Sequence, residues 1–409
     1  MPSASTRASL LALCFGNFVI GTGTLIVPGM LPQIAEGLGV SLSYAGLLVT
    51  AFAATVCVGA PLLAAATSRF DRRALLASMQ LVFFAGHAAA ALVSAFAPMV
   101  LVRMATSVGA ALFTAQAAAT AALLVAPEKR GRAIAFVFVG WSIASVAGMP
   151  LGAYVGAVLG WRAGFTLVAA GALAGAAAVW LFVPAGLRVQ PVNGAMWRAI
   201  LGNPSLLANV SVTALFAAAG FTIFSYFVPA THAFLGATPE LVSLLLAGFG
   251  VAGVTGNMLA VRYMDRIGPG RVMTLALVSA LGAHLLWPFT PGSTALVAVA
   301  MLAWGAGVFA GNSAQQARLV ALAPAAAPVS VALNSSAIYL GQAIGPAAGG
   351  LLIAHLPGVQ GYALLAAISV PLLVAAIVLS QFASLRARRA RILQTSMAWP
   401  DCGSSRLQP

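Results

Sequence analysis

Apolar stretches of similar length recur twelve times along the chain, at 8–34, 44–66, 74–94, 97–125, 133–158, 163–184, 205–229, 241–262, 272–290, 294–317, 329–354 and 359–382. Each is long enough for a helix to cross a hydrocarbon core, which takes about 20 residues. Six lie on either side of the stretch 185–204. The pattern predicts an all-α membrane protein with 12 transmembrane helices in two pseudo-symmetric six-helix halves. The halves are 1–184 and 205–384, joined by a cytoplasmic linker at 185–204 and followed by a basic, disordered tail at 385–409.

The two halves carry the same signals at nearly the same spacing. Gly59-Ala60-Pro61 runs into Ser68-Arg69-Phe70-Asp71-Arg72-Arg73, and a glycine-proline helix follows at Gly148-Met149-Pro150-Leu151-Gly152. Gly256-Asn257 runs into Asp265-Arg266-Ile267-Gly268 and Arg271, followed by Gly341, Gly345-Pro346 and Gly349-Gly350. Arg69 and Pro150 are 81 positions apart, Arg266 and Pro346 80. A repeat of that length in an apolar chain marks a secondary transporter.

Composition agrees. Of 409 residues, 61% are hydrophobic and 6% charged, with mean hydropathy +1.02; a soluble domain could carry this only by exposing large apolar patches. The net charge of +14 would suggest nucleic acid in a soluble protein, so its placement decides. With a cytoplasmic N-terminus, every Lys and Arg except Arg103 and Arg162 falls on the cytoplasmic side, and Arg162 alone occupies the opposite loops. That asymmetry puts both termini inside and removes nucleic acid as a partner. The first apolar run is too long for a signal peptide and reads as a retained helix. The tail arginines Arg386 to Arg391 are expected on anionic headgroups.

Other chemistries are excluded in turn. The single lysine, Lys129, follows no glycine loop, so a phosphate-binding loop for ATP is absent. His87, His232, His284 and His355 share no metal-ligand spacing, and Cys14, Cys57 and Cys402 imply no disulfide framework. No nucleophile, base and metal constellation appears, so an enzyme is not expected and neither cofactor nor metal is implied.

What remains is a set of transport features. Gly140, Ala144, Gly148, Gly152, Gly156 and Gly160 make a smooth ridge on segment 5, echoed by Ala337, Gly341, Gly345 and Gly349 on segment 11. Such ridges serve close helix packing; with Pro150 and Pro346 they also offer a surface for bending and sliding. Asn17, Gly21, Thr24 and Pro28 share one face of segment 1, Arg103, Ser107 and Thr114 one face of segment 4. Segment 11 adds Asn334, Ser335, Tyr339 and Gln342, and segment 10 adds Asn312, Gln315 and Gln316. Each polar residue has two readings, an interhelical hydrogen bond or a contact to solute. Together they describe a mildly polar, uncharged cavity suited to a neutral or amphiphilic solute. Arg69, Asp71 and Arg72 in the first half, with Asp265, Arg266 and Arg271 in the second, are candidates for a cytoplasmic gate or simply for topology.

Segment 1, Gly21-Thr22-Gly23-Thr24-Leu25-Ile26-Val27-Pro28-Gly29-Met30-Leu31-Pro32-Gln33-Ile34-Ala35, resembles the opening of the major facilitator superfamily's twelve-helix drug:proton antiporters, especially arabinose-efflux-permease-like members. The turns at 59–73 and 256–271 resemble that family's loop signature, Arg103 with Gly109 its helix 4 signature, and Gly140 to Gly152 its helix 5 antiporter signature. Gly160-Trp161-Arg162 with Phe165 resembles the turn that follows.

The resemblance implies export of a small solute (drug, sugar or metabolite) by alternating access, in exchange for protons, by a monomer in a bacterial inner membrane. It implies that Arg103 takes part in proton coupling. Three departures stand out: Ser68 replaces an acid, Met149 interrupts Gly-Pro, and Thr24 stands near where many relatives carry a helix 1 acid. The acids Glu36, Asp71, Glu128, Glu240, Asp265 and Asp401 all fall at helix ends, loops or the tail. Arg103, expected as the only embedded charge, cannot itself release a proton, and so needs a titratable partner; alternatively it snorkels to the outer interface or attracts an anion. A uniporter or importer without proton coupling, and more remotely a receptor or scaffold, are the alternatives.

Overall fold

A computed structural model describes residues 4–67, 69–188, 198, 202–323 and 327–397. Twelve helices in it are long and apolar enough to span a membrane. In chain order they are α1 (Ser5–Gly29), α2 (Leu42–Leu63), α3 (Arg72–Leu92), α4 (Phe96–Leu123), α5 (Pro127–Val158), α6 (Trp161–Phe182), α7 (Pro204–Phe224), α8 (Pro239–Ile267), α9 (Pro269–Phe289), α10 (Thr294–Leu322), α11 (Val329–His355) and α12 (Val359–Leu385). No strand occurs among the described residues.

Local chemistry sets the boundaries. The first apolar run is broken at Met30, and a short helix, Leu31–Gly37, follows with Pro32 in its first turn, where the missing N–H costs no ladder bond. Asp71 caps α3 by accepting from the Ala74 amide at 3.1 Å. In α5 the turns at Ala144–Gly148 widen to π geometry, which accommodates the Pro150 ring against the carbonyl one turn earlier. After α7 the chain turns at Ser225-Tyr226 and forms a second short helix, Phe227–Leu235.

The final helix runs on to Met397, so the basic stretch Arg386 to Arg391 is helical, where a disordered tail was expected from 385. Positions 398–409, Ser68 and most of the expected linker lie outside the described residues.

The halves repeat one another in packing as well as in sequence. α1 packs on α5 and α6, α2 on α4, and α3 on α4 and α6; α7 packs on α11 and α12, α8 on α10, and α9 on α10 and α12. The glycine ridges make the closest of these contacts. A methyl group at Gly21 would lie 2.8 Å from Ala144, and at Gly148 and Gly152 it would enter Thr22 and Ile26, so α5 lies directly against α1. At Gly345 it would lie 2.5 Å from the Ala218 carbonyl, so α11 lies directly against α7. Both ridges are therefore buried inside a half, and the surface between halves is built differently.

That surface consists of α2 against α11 and α5 against α8. The Ser43 hydroxyl donates to the Gly350 carbonyl at 2.7 Å, Thr50 to Ala343 at 3.0 Å, and Ser243 to Pro150 at 3.2 Å. All lie toward the face where α1 ends, opposite the face that carries Arg69, Arg130, Arg132, Arg262, Arg266 and Arg271 at helix ends. Toward the arginine-rich face the halves part: α8 follows α5 along Ala144–Val158 and diverges from Arg130–Ile143. Between α5 and α8 the bundle is clasped at one face and open at the other.

Candidate functional site

Alternating exposure requires charged or polar groups in the interior that can exchange partners. Among the described residues three arginines are buried rather than one. Arg72 at the start of α3 is 1% exposed and donates to the Gln116 amide oxygen at 2.7 Å. Arg318 in α10 is 8% exposed and donates to Gln315 at 3.2 Å, Ser380 at 2.8 Å and Ser384 at 3.1 Å. Arg103 differs from both. It is 1% exposed, and its Nε and one terminal nitrogen have no hydrogen-bond partner. Its guanidinium lies over the Phe52 ring of α2 at 4.4 Å and 6.0 Å from the Phe165 ring of α6. A cation stacked on aromatic faces and short of hydrogen-bond acceptors is held at an intermediate cost. It does not snorkel.

Around Arg103 stand Thr106, Ser107 and His87, all buried. Ser107 returns its hydroxyl to the Met104 carbonyl at 2.6 Å. The His87 ring shares Phe165 with Arg103, centroid to centroid at 5.8 Å. This cluster of α2, α3, α4 and α6 is the candidate coupling site. Sequence reading set His87 aside as isolated. The signal that could have found it is the repeat: His87 and His284 each stand 18 positions after the loop arginines Arg69 and Arg266.

The other candidates disperse. The Asn17 amide donates across the α1–α5 contact to the Val137 carbonyl at 3.2 Å, and Thr24 bonds its own helix at Ile20, 2.8 Å. The face expected to line a cavity is thus occupied by α5, because the glycine ridge draws the two helices together. Asn334 accepts from Thr213 at 2.7 Å and belongs to a buried α7–α10–α11–α12 network near the arginine-rich face with Asn209, Gln315 and Arg318. Gln342 is buried in α11 and Tyr339 half-buried one turn before it; these two remain together on the helix that faces α2.

The gate candidates also divide. Asp71 and Arg72 serve the first half internally: Asp71 accepts from the Gly186 amide, and the Arg72 amide donates to Leu187 at 3.0 Å. Arg69, Asp265, Arg266 and Arg271 are exposed on the open face. Every acid among the described residues is exposed or half-exposed, so no carboxylate reaches the interior, and no group of three or more metal-ligating side chains occurs among them.

Comparison with known proteins agrees with this architecture. The family model of the Major Facilitator Superfamily matches residues 13–234 and 210–396. The chain is 32% identical over 344 residues to the inner membrane transport protein YdhP of Escherichia coli (strain K12), covering 84% of this chain and 88% of that protein. It is 34% identical over 362 residues to a chloramphenicol resistance protein of Streptomyces lividans, covering 86% and 91%. In fold it is similar to a bacterial homologue of the human lysosomal transporter Spinster in an inward-facing, unoccupied conformation, with TM-score 0.75 at 18% identity over 94% of this chain and 98% of that one. A D-xylose-proton symporter is similar with TM-score 0.72 at 18% identity, covering 91% and 97%. The chain belongs to the major facilitator superfamily and is a multi-pass membrane transporter of small solutes, not an enzyme.

Proposed function

We propose that this protein exports a neutral, amphiphilic organic solute by alternating access, driven by protons returning to the cytoplasm. The arginine-rich face is then the cytoplasmic one, a reading the distribution of positive charge supports, and the structure corresponds to the inward-open state. The observation that carries this reading is the asymmetric closure: α2–α11 and α5–α8 are hydrogen-bonded at one face while α5 and α8 diverge at the other. Rocking the halves about these contacts exchanges the open side.

The solute class follows from the interior. The described spans offer amides, hydroxyls, aromatic rings and one poorly partnered guanidinium, and no carboxylate to hold an organic cation. Chloramphenicol, to which the Streptomyces lividans relative is named a resistance protein, is a neutral molecule of that kind and a suitable probe. The lack of an interior carboxylate also supports a second reading, facilitated diffusion without protons.

Reconstituted protein separates the two. With an imposed pH gradient, proton-driven export predicts chloramphenicol accumulation against its gradient, abolished by a protonophore. Flux that runs only downhill and ignores the protonophore would favour the uniporter.

A further inference from the structure

A proton-driven cycle needs a group inside the membrane that gains and loses a proton, and Arg103 stays charged at ordinary pH. We propose that His87 is that group, with the charge of Arg103 making its protonation depend on the state of the bundle; this rests on the proton-driven reading above.

His87 is 0% exposed, and its Nδ1 lies 2.9 Å from the Phe83 carbonyl. A carbonyl only accepts, so Nδ1 carries the hydrogen and Nε2 presents a lone pair. That Nε2 makes no hydrogen bond of normal length, and the backbone of Gly23 in α1 is the polar group it faces. It points at α1 where Gly23 leaves room: a methyl group there would lie 2.8 Å from it. The ring also packs on Phe83 at 4.2 Å and on Phe165. From the elements packed around it, His87 thus meets Gly23 of α1, Phe165 of α6 and Phe83 of its own helix, and faces Arg103 of α4 across the Phe165 ring. Arg103 is the charged group among them. Arg162, at the start of α6, is exposed and donates to the Val93 carbonyl at 3.3 Å.

When the opposite face opens, water delivers a proton to Nε2 and the ring becomes an imidazolium. When that face closes again, imidazolium and guanidinium share one aromatic ring with no acid beside them, and their repulsion drives the proton from Nε2 to water on the arginine-rich face. Arg103 keeps its protons throughout. Gln80, two turns along the same face of α3, is buried with both amide atoms unpartnered, and the Arg72–Gln116 pair lies beyond it. In this proposal the released proton passes these polar groups on its way out.

The second half supplies an internal control. His284 occupies the equivalent position of the repeat, is 1% exposed, and meets the Trp304 ring edge-on at 5.1 Å. Seven positions into α10, where α4 carries Arg103, stands Met301. His284 has the burial of His87 without the guanidinium.

The test uses full-length protein in liposomes with chloramphenicol as the probe, comparing accumulation under a pH gradient with downhill equilibration. H87Q is expected to reduce gradient-driven accumulation by about tenfold or more, a loss of about 1.4 kcal/mol of coupling, while downhill flux stays within about twofold. H284Q is expected to change neither. Gradient-driven accumulation by H87Q at the parent level overturns the assignment and leaves the antiporter reading standing. Loss of downhill flux as well, in both H87Q and H87N, makes His87 a packing residue and also overturns it. A parent protein that ignores the gradient overturns the antiporter reading and this assignment together.

Discussion

The Tyr226 hydroxyl donates to the Pro346 carbonyl at 2.7 Å, and the same hydroxyl sits where α2 and α11 meet, 2.6 Å from the place a methyl group would take on Gly350 and against Gly46 of α2. One buried phenol thus fills the notch that two glycines leave at the clasped face. Tyr226→Phe removes the bond and keeps the ring, at a cost of about 1 kcal/mol to this state. The expected result is faster reaction of a cysteine placed at Ser43 with a membrane-impermeant thiol reagent. An unchanged rate would show that the phenol only fills space.

The ridge on α11 has a steep steric prediction. At Gly345 a side chain would meet the Ala218 carbonyl at 2.5 Å and the Thr222 amide at 2.8 Å, both backbone atoms that cannot move aside. Gly345→Val should lower thermal stability by about 1–3 kcal/mol or more. Gly59→Ala, near the end of α2, meets only its own helix's Leu63 at 3.5 Å and should leave the melting temperature unchanged or raise it. Equal effects of the two would contradict the packing described.

Arg103 should matter for coupling more than for folding. Arg103→Ala removes a buried cation whose Nε and one terminal nitrogen lack partners, so its melting temperature should be maintained or raised, because an isolated buried charge costs more than it contributes. Gradient-driven chloramphenicol accumulation should fall by about tenfold or more. Unchanged accumulation would remove Arg103 from the coupling role.

Asp265 stands exposed on the open face, so it has nothing to lose in this state. Asp265→Asn should therefore shift stability by less than about 0.5 kcal/mol, yet change flux several-fold if Asp265 pairs across the halves when that face closes. Unchanged flux would make it an ordinary surface residue.

Much of the fold could be read from the chain because a membrane punishes exceptions: span length and small-residue ridges show directly in sequence. What those signals omit is the partner. Spacing placed Asn17 and Thr24 on one face, but not that α5 would cover that face. Arg72 and Arg318 looked like surface charges because burial by Gln116, Ser380 and Ser384 depends on residues 44 to 66 positions away. His87 was passed over for a related reason: one histidine makes no local pattern, and its meaning comes from Arg103 and Phe165 on two other helices.

The central claim, that the halves must part at the clasped face for solute to leave, can be tested by locking that face. A methyl group at Gly350 would lie 3.3 Å from the Ser43 hydroxyl, close enough for a disulfide between cysteines at the two positions. With Cys14, Cys57 and Cys402 replaced by serine and Tyr226 by phenylalanine, which clears the hydroxyl that a side chain at 350 would meet at 2.6 Å, the S43C/G350C pair should form that bond under oxidation and stop chloramphenicol flux, and reductant should restore it to the level of the Tyr226→Phe parent. Flux at the parent rate through fully cross-linked protein would contradict the account.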